Sequence, residues 1–256
     1  MSNKVALVTG AAGGIGSAVV RTLAERQIQV AAVDRDGEHL AQAAKQFAAD
    51  GLPVRTFTAD VADPENVETM VDAVEQQLGP VDFLVNTAGV LRMGSARTQP
   101  LEDWSATFAV NAQGVFLVSR AVANRMVPRR SGAIVTVASN AAGTPRLGMA
   151  AYSASKAAAT MFTKNLGLEL AEYGIRCNVV APGSTDTAML WSMWQDDTGA
   201  QATIEGRLDQ YKLGIPLGKL ANPDDIAAAV EFLLSDRAGH ITMHALTVDG
   251  GATLGG

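Results

Sequence analysis

The sequence predicts an α/β fold, a doubly wound (Rossmann) parallel sheet flanked by helices on both faces, in a single domain over residues 1–256. Three observations predict it. Short apolar runs alternate with segments of helical composition, the first run ends in a glycine-rich turn, and no repeat, linker or low-complexity tract divides the chain. Runs that are apolar throughout suit strands covered on both faces, and a helix between successive runs is the crossover that parallel strands require.

The first strand, 5–8, reads Val-Ala-Leu-Val and stops at Thr9-Gly10, and a helix over 15–26 follows. The pattern then gives a strand over 29–34, a helix over 37–49 and a strand over 54–58. Pro64 opens a helix over 64–78, where its missing N–H is no loss, and a strand over 81–86 comes next. A long helical stretch covers 101–127, a strand 133–139, a helix 151–173 ended at Gly174, and a strand 175–181. A helix over 224–234 and a short strand over 246–248 complete the set. Region 184–214, rich in Met, Trp and polar residues just after a strand end, reads as a substrate loop, because long insertions in compact domains are more often functional than idle.

Composition narrows the partners. With 48% hydrophobic residues, a formal charge of -6 and scattered basic residues, the chain has no electrostatic footprint for nucleic acid or an anionic membrane, which favours a small-molecule partner. No apolar run approaches bilayer length and no leader precedes the first strand, so a cytoplasmic location is expected. Cys177 is the sole cysteine, which excludes an intrachain disulfide and a cysteine metal site. His39, His240 and His244 lack companions at a catalytic spacing and there is no Gly-x-Ser-x-Gly elbow, so a hydrolase is not expected. The pairs Asp196-Asp197 and Asp224-Asp225 read as a solvated loop and a helix start, and no metal is expected.

The turn Thr9-Gly10-Ala11-Ala12-Gly13-Gly14-Ile15-Gly16 lies between the first strand and the first helix. Glycines there let the backbone approach a pyrophosphate, and the helix N-terminus favours its charge. Asp34 ends the second strand, placed to accept ribose hydroxyls and to repel a 2'-phosphate, which argues for NAD over NADP. Arg35 beside it is the counter-signal, since a guanidinium can receive that phosphate.

A second constellation runs from Ser139 to Lys156. Tyr152 and Lys156 stand four apart in an Ala-rich helical segment and share a face, while Ser139 sits at a strand end, where open α/β sheets bind ligands. A cation beside a phenol favours the phenolate, so Tyr152 can exchange a proton with an alcohol or carbonyl while Ser139 holds the same oxygen.

These motifs, with Asp60-Val61, Asn86-Thr87-Ala88-Gly89, Asn111, Pro182-Gly183 and Asp249-Gly250-Gly251, resemble the short-chain dehydrogenase/reductase family in order and spacing over the whole chain. Thr87 is a minor departure, standing where Asn or Ala is common. The resemblance implies a cofactor site formed by Gly10, Gly14, Ile15, Gly16, Asp34, Arg35, Asp60, Val61, Asn86, Ala88, Gly89, Pro182, Gly183, Thr185 and Thr187, together with Tyr152 and Lys156. It implies a catalytic tetrad of Asn111, Ser139, Tyr152 and Lys156. In it Tyr152 is the acid/base, Lys156 lowers the tyrosine pKa and binds the nicotinamide ribose, Ser139 orients the substrate oxygen and Asn111 holds a relay water.

Within that family, further stretches, among them Gly89 to Gly94, Thr144-Pro145-Arg146, Gly183 to Thr187 and Thr253-Leu254-Gly255, resemble the 2,3-dihydro-2,3-dihydroxybenzoate dehydrogenases, which supply a catechol acid for siderophore biosynthesis. The implied reaction is NAD-dependent oxidation at C3, with the ketone enolising to the aromatic catechol. The pattern departs at Asn140 and Gly143, where Asp and His are expected, and so leaves a neighbouring cyclic diol or hydroxy acid open. So do a 3-oxoacyl reductase and a sugar dehydrogenase, and, outside enzymology, a dinucleotide-sensing regulator. A carboxylate substrate calls for a cation, and Arg146 and Arg92 are the candidates. Met189, Leu190, Trp191 and Trp194 are expected to form an apolar lid, and the resemblance implies a homotetramer.

Overall fold

The protein is described by a computed structural model covering residues 4–194 and 196–255. Seven strands form one parallel sheet in the order β3-β2-β1-β4-β5-β6-β7. They are β1 (Val5–Thr9), β2 (Gln29–Asp34), β3 (Val54–Thr58), β4 (Phe83–Asn86), β5 (Gly132–Val137), β6 (Ile175–Pro182) and β7 (Ala245–Val248). The connecting helices are α1 (Gly14–Glu25), α2 (Gly37–Ala49), α3 (Pro64–Leu78), α4 (Leu101–Phe108), α5 (Val115–Met126), α6 (Ala150–Leu170), α7 (Ala188–Trp191), α8 (Gly199–Glu205) and α9 (Pro223–Leu234). The order reverses between β1 and β4, which opens a crevice at their carboxyl ends.

Alternation along the strands divides the core in two. Ala6, Val8, Val30 and Ala32 face one way and pack with Val19 and Leu23 of α1, Leu40 and Phe47 of α2 and Ile226 and Val230 of α9. Leu7, Ala31, Val33 and Leu84 face the other way, against Val67 and Val71 of α3 and Val118 and Val122 of α5. Both faces are therefore buried, which is why these strands read as unbroken apolar runs.

Among the described residues four α-helix starts are closed by side chains, one of them α7, where the Thr187 hydroxyl accepts from the Leu190 amide. Asp36 accepts from the His39 amide, Asp63 from the Glu65 and Asn66 amides, and Asn222 forms a reciprocal capping box with Asp225. At α1 the N-cap is Gly13, with no side-chain cap and no acidic residue in the first turn. Its free N–H groups and dipole point into the crevice, an arrangement suited to an anion.

Four expectations need correction. The 101–127 stretch is not one α-helix: a π-helical turn, Ala109–Gly114, separates α4 from α5. The extra residue per turn carries Asn111 to a fully buried position, and Gly114 fits because a Cβ there would stand 2.8 Å from a Val61 methyl. The continuous rod, Leu101–Arg129, has 29 residues, long and apolar enough to cross a bilayer, contrary to the sequence reading; over half of its most apolar window is instead buried within this fold. Finally, β5 ends at Val137, so Ser139 lies beyond the strand, where its hydroxyl accepts from the Ala141 amide at 3.1 Å and starts a short 3-10 turn. Region 184–214, expected as a loop, contains α7 and α8.

Candidate active site

Thr9 holds the crevice together. Its buried hydroxyl accepts from the amides of Thr87 at 3.2 Å and Ala88 at 3.3 Å, while the Thr87 hydroxyl donates to the Thr9 carbonyl, so the ends of β1 and β4 are joined. Gly10 has φ +65°, and a Cβ there would lie 2.7 Å from the Ala88 backbone. At Gly16 a Cβ would lie 2.0 Å from the Gly10 carbonyl oxygen. The turn is thus compact enough that only glycine fits, and it presents bare main chain to the crevice, which suits a pyrophosphate.

Asp34 braces this turn. Its Oδ2 accepts from the Ala12 amide at 3.0 Å and its Oδ1 from the Asp36 amide at 3.0 Å, leaving further lone pairs directed to the crevice rim. The walls there include Gly10, Gly14, Ile15, Gly16, Asp34, Arg35, Asp60, Val61, Ala88 and Gly89. Asp60 itself accepts from the Ala62 amide at 2.9 Å, which shapes the loop after β3. Asn86 is a correction: only 2% exposed, it donates to Ser119 at 2.9 Å and Thr136 at 3.4 Å and does not line the crevice. Its place in β4 turns the amide into the core, where it must find partners.

A second chamber adjoins the first and shares Ile15, Thr87, Gly89, Thr187 and Met189 with it. Ser139, Tyr152, Lys156, Pro182, Gly183, Thr185 and Arg146 line it. The structure therefore brings together Tyr152, Lys156 and Ser139, from α6 and the turn after β5, beside the crevice that the glycine turn opens. Gly183 permits a close pass, since a Cβ there would lie 2.6 Å from the Asp249 side chain. Arg92 is not in the chamber; its side chain is 56% exposed and lies 4.0 Å from Asp103.

Lys156 is buried, and its ammonium donates to the Val137 carbonyl at 2.9 Å, 5.9 Å from the centre of the Tyr152 ring. Burial pushes its pKa down to about 8. Burial also pushes the Tyr152 phenol above its ordinary value, opposed by its hydrogen bond with Ser139. The expected lowering of the tyrosine pKa by Lys156 is thus not what dominates here: the ammonium is drawn to a carbonyl, and desolvation of the phenolate prevails.

Asn111 lies beneath. Its Nδ2 donates to the Val90 carbonyl at 2.9 Å and to Ser155 at 3.0 Å, and its Oδ1 accepts from the Val90 amide at 2.8 Å. Both amide donors are thereby engaged by protein groups, so the side chain fixes Val90 and the adjoining Gly89 wall.

The four residues expected to form a lid divide into two pairs. Met189 and Leu190 line the second chamber, as does Met193, whereas Trp191 and Trp194 do not. The exposed Trp191 indole N–H donates to Asp186 at 2.6 Å, and Trp194 packs against Gly199. Leu91, Met149, Lys212 and Ile215 line the chamber without having been assigned a site role from the sequence. They come from separate loops, and only folding makes them neighbours.

A family model described as short chain dehydrogenase matches residues 4–198. The chain is 56% identical over 255 residues to a 2,3-dihydro-2,3-dihydroxybenzoate dehydrogenase of Bacillus subtilis (strain 168), covering 100% of this chain and 98% of that one. It is 45% identical to the enzyme of the same name from Escherichia coli (strain K12), covering 99% and 98%. Among solved structures it resembles that of gox2181, with a TM-score of 0.92 and 32% identity over 99% of this chain and 97% of that one.

Proposed function

Because this chain belongs to the short-chain dehydrogenase/reductase family, whose cofactor is a nicotinamide dinucleotide, we propose that it oxidises 2,3-dihydro-2,3-dihydroxybenzoate to 2,3-dihydroxybenzoate, the catechol acid of siderophore biosynthesis, with NAD. The observation that carries this reading is the continuity of the two chambers through Ile15, Gly89 and Thr187, which connects the glycine turn to Tyr152.

When bound, the nicotinamide supplies the hydride acceptor for C3. Gly10, Gly14, Ile15 and Gly16 hold the pyrophosphate, Asp34 accepts the ribose hydroxyls and, next to Arg35, favours NAD; Asp60, Val61, Ala88 and Gly89 flank the adenosine half. Pro182, Gly183, Thr185 and Thr187 hold the carboxamide end. Ser139 donates to the substrate oxygen, and the Tyr152 phenolate takes the hydroxyl proton. Lys156 supplies the positive charge that favours the phenolate before it takes the proton, against the burial that raises the phenol pKa. Asn111 holds the loop after β4 and, through its main chain, the relay water. Arg146 binds the ring carboxylate, and Met189 covers the ring.

The proton that Tyr152 accepts leaves toward solvent, and transfer of the C2 ring proton to the C3 oxygen, the enolisation, completes the catechol. Aromatisation draws the oxidation forward, consistent with an oxidising cofactor. A cytoplasmic location and a homotetramer belong to the same reading. Support for assembly comes from Phe116 on α5 and Met161 and Leu168 on α6, apolar yet exposed on the single chain.

The test is turnover of the dihydrodiol acid with NAD, followed as NADH absorbance, alongside reduction of an acetoacetyl thioester with NADPH. Oxidation of the acid at a kcat/KM at least about a hundredfold above any thioester reduction is expected. Thioester reduction without oxidation of the acid would replace the proposed reaction with a ketoacyl reductase.

A further inference from the structure

Lys212 enters the chamber from the segment after α8 by a built route. Arg207 and Lys212 pair through both main-chain bonds, 2.9 Å from the Arg207 amide to the Lys212 carbonyl and 3.0 Å in return. Gly206 and Gly214 flank the pair at φ +89° and +88°. A Cβ at Gly206 would meet the Lys212 carbonyl at 2.5 Å, and one at Gly214 the Ile204 carbonyl at 2.5 Å, so the crossing tolerates only glycine at both places. The Arg207 guanidinium is fastened outside to Asp209 at 2.7 Å, whereas Lys212 lines the chamber.

Arg146 lines the same chamber. Among the described residues neither cation has a salt bridge or a side-chain hydrogen bond. Asp249, the acid that acts on Arg146, is already engaged: it accepts from Asn140 at 3.2 Å, the Gly251 amide at 2.9 Å and both donors of Thr253. Burial lowers the pKa of Lys212, and the charges of Arg146 and Arg207 add to that. Two half-buried cations in mutual repulsion are relieved by an anion brought from outside. The neighbouring walls, Leu91, Met149, Met189 and Ile215, are apolar and suit a ring.

We infer that Lys212 and Arg146 form a two-cation clamp for the substrate carboxylate, and that Lys212 is a determinant of the preference for an acidic ring over a neutral one. The clamp rests on the reaction proposed above for its substrate, but its chemistry is readable with simpler anions.

Benzoate and benzamide serve as probes of the NAD-loaded protein, with binding measured by calorimetry for the wild type, Lys212→Gln, Lys212→Met and Lys212→Arg. The wild type should prefer benzoate, and the Gln and Met variants should lose roughly 10- to 100-fold of that preference, the range of one charge-assisted hydrogen bond, with the Arg variant recovering part. With turnover, the ratio of kcat/KM for the dihydrodiol acid to that for the carboxylate-free diol should fall by a similar factor, through KM. Equal losses for benzoate and benzamide, or no loss at all, would overturn the clamp. A wild type that prefers benzoate yet leaves the dihydrodiol acid unoxidised would sink the proposed reaction and retain the clamp.

Discussion

The Lys156 ammonium donates to the main-chain carbonyl of Val137, 2.9 Å away, at the end of β5. That bond, with the one from Thr163 to Thr136 at 2.9 Å, ties α6 to β5, and it holds a cation in a buried site. Burial brings its pKa to about 8, below that of the unfolded chain, so between about pH 8 and 10.5 the unfolded state binds more protons and stability rises with pH. Below about pH 8 the whole burial penalty is present. Lys156→Met should therefore be more stable than the wild type at pH 7, by on the order of 1–3 kcal/mol, and the gap should shrink toward pH 10. Thermal melts of both proteins at pH 7 and pH 10 read this; a variant that melts lower at pH 7 would refute it.

Tyr152→Phe removes the proposed proton acceptor and little volume. NADH formation from the dihydrodiol acid should drop by about 10²–10⁴-fold, while NADH binding, read by fluorescence, changes less than about threefold. Undiminished oxidation would remove Tyr152 from the chemistry.

Asp34 both braces the glycine turn, through the Ala12 amide, and lines the crevice that the turn opens. Asp34→Asn keeps an oxygen for Ala12 and removes the charge. The ratio of kcat/KM for NAD to that for NADP should fall by roughly 10- to 100-fold, with Arg35 free to receive the 2'-phosphate. An unchanged ratio would take the cofactor choice away from Asp34.

Gly16→Ala places a Cβ 2.0 Å from the Gly10 carbonyl oxygen, against rigid backbone, whereas at Gly13 the nearest atom is 3.4 Å away. Gly16→Ala should cost about 1–3 kcal/mol of stability and weaken NADH binding, and Gly13→Ala should be tolerated. Denaturant titrations compare the two, and equal stabilities would contradict the close packing.

Leu168 on α6 is 67% exposed on the single chain. If it lies between subunits, Leu168→Glu should lower the mass measured by sedimentation, whereas a tetramer that persists would move the interface elsewhere.

Much of the fold was legible because local physics repeats itself there. Strands covered on both faces must be apolar throughout, so Val30 and Ala31 face opposite cores and both read as hydrophobic. The compact glycine turn was legible for a related reason: at Gly16 a Cβ would meet the Gly10 carbonyl oxygen, a constraint carried by neighbours in sequence. The π turn around Asn111 was not, since one extra residue in a helical run leaves the apolar pattern nearly intact. Neither was the inward turn of Asn86, which depends on Ser119 and Thr136, 33 and 50 residues away.

The sequence by itself determined the alternation of strands and helices, the glycine turn and the spacing of Tyr152 and Lys156, because each follows from groups within a few residues of one another. Tertiary structure alone decided the electrostatics of the site. Burial raised the phenol of Tyr152 and lowered the ammonium of Lys156, and it brought Lys212 into the chamber of Arg146 from 66 positions further along the chain. Desolvation and charge proximity are properties of three-dimensional neighbours, and a linear pattern does not carry them.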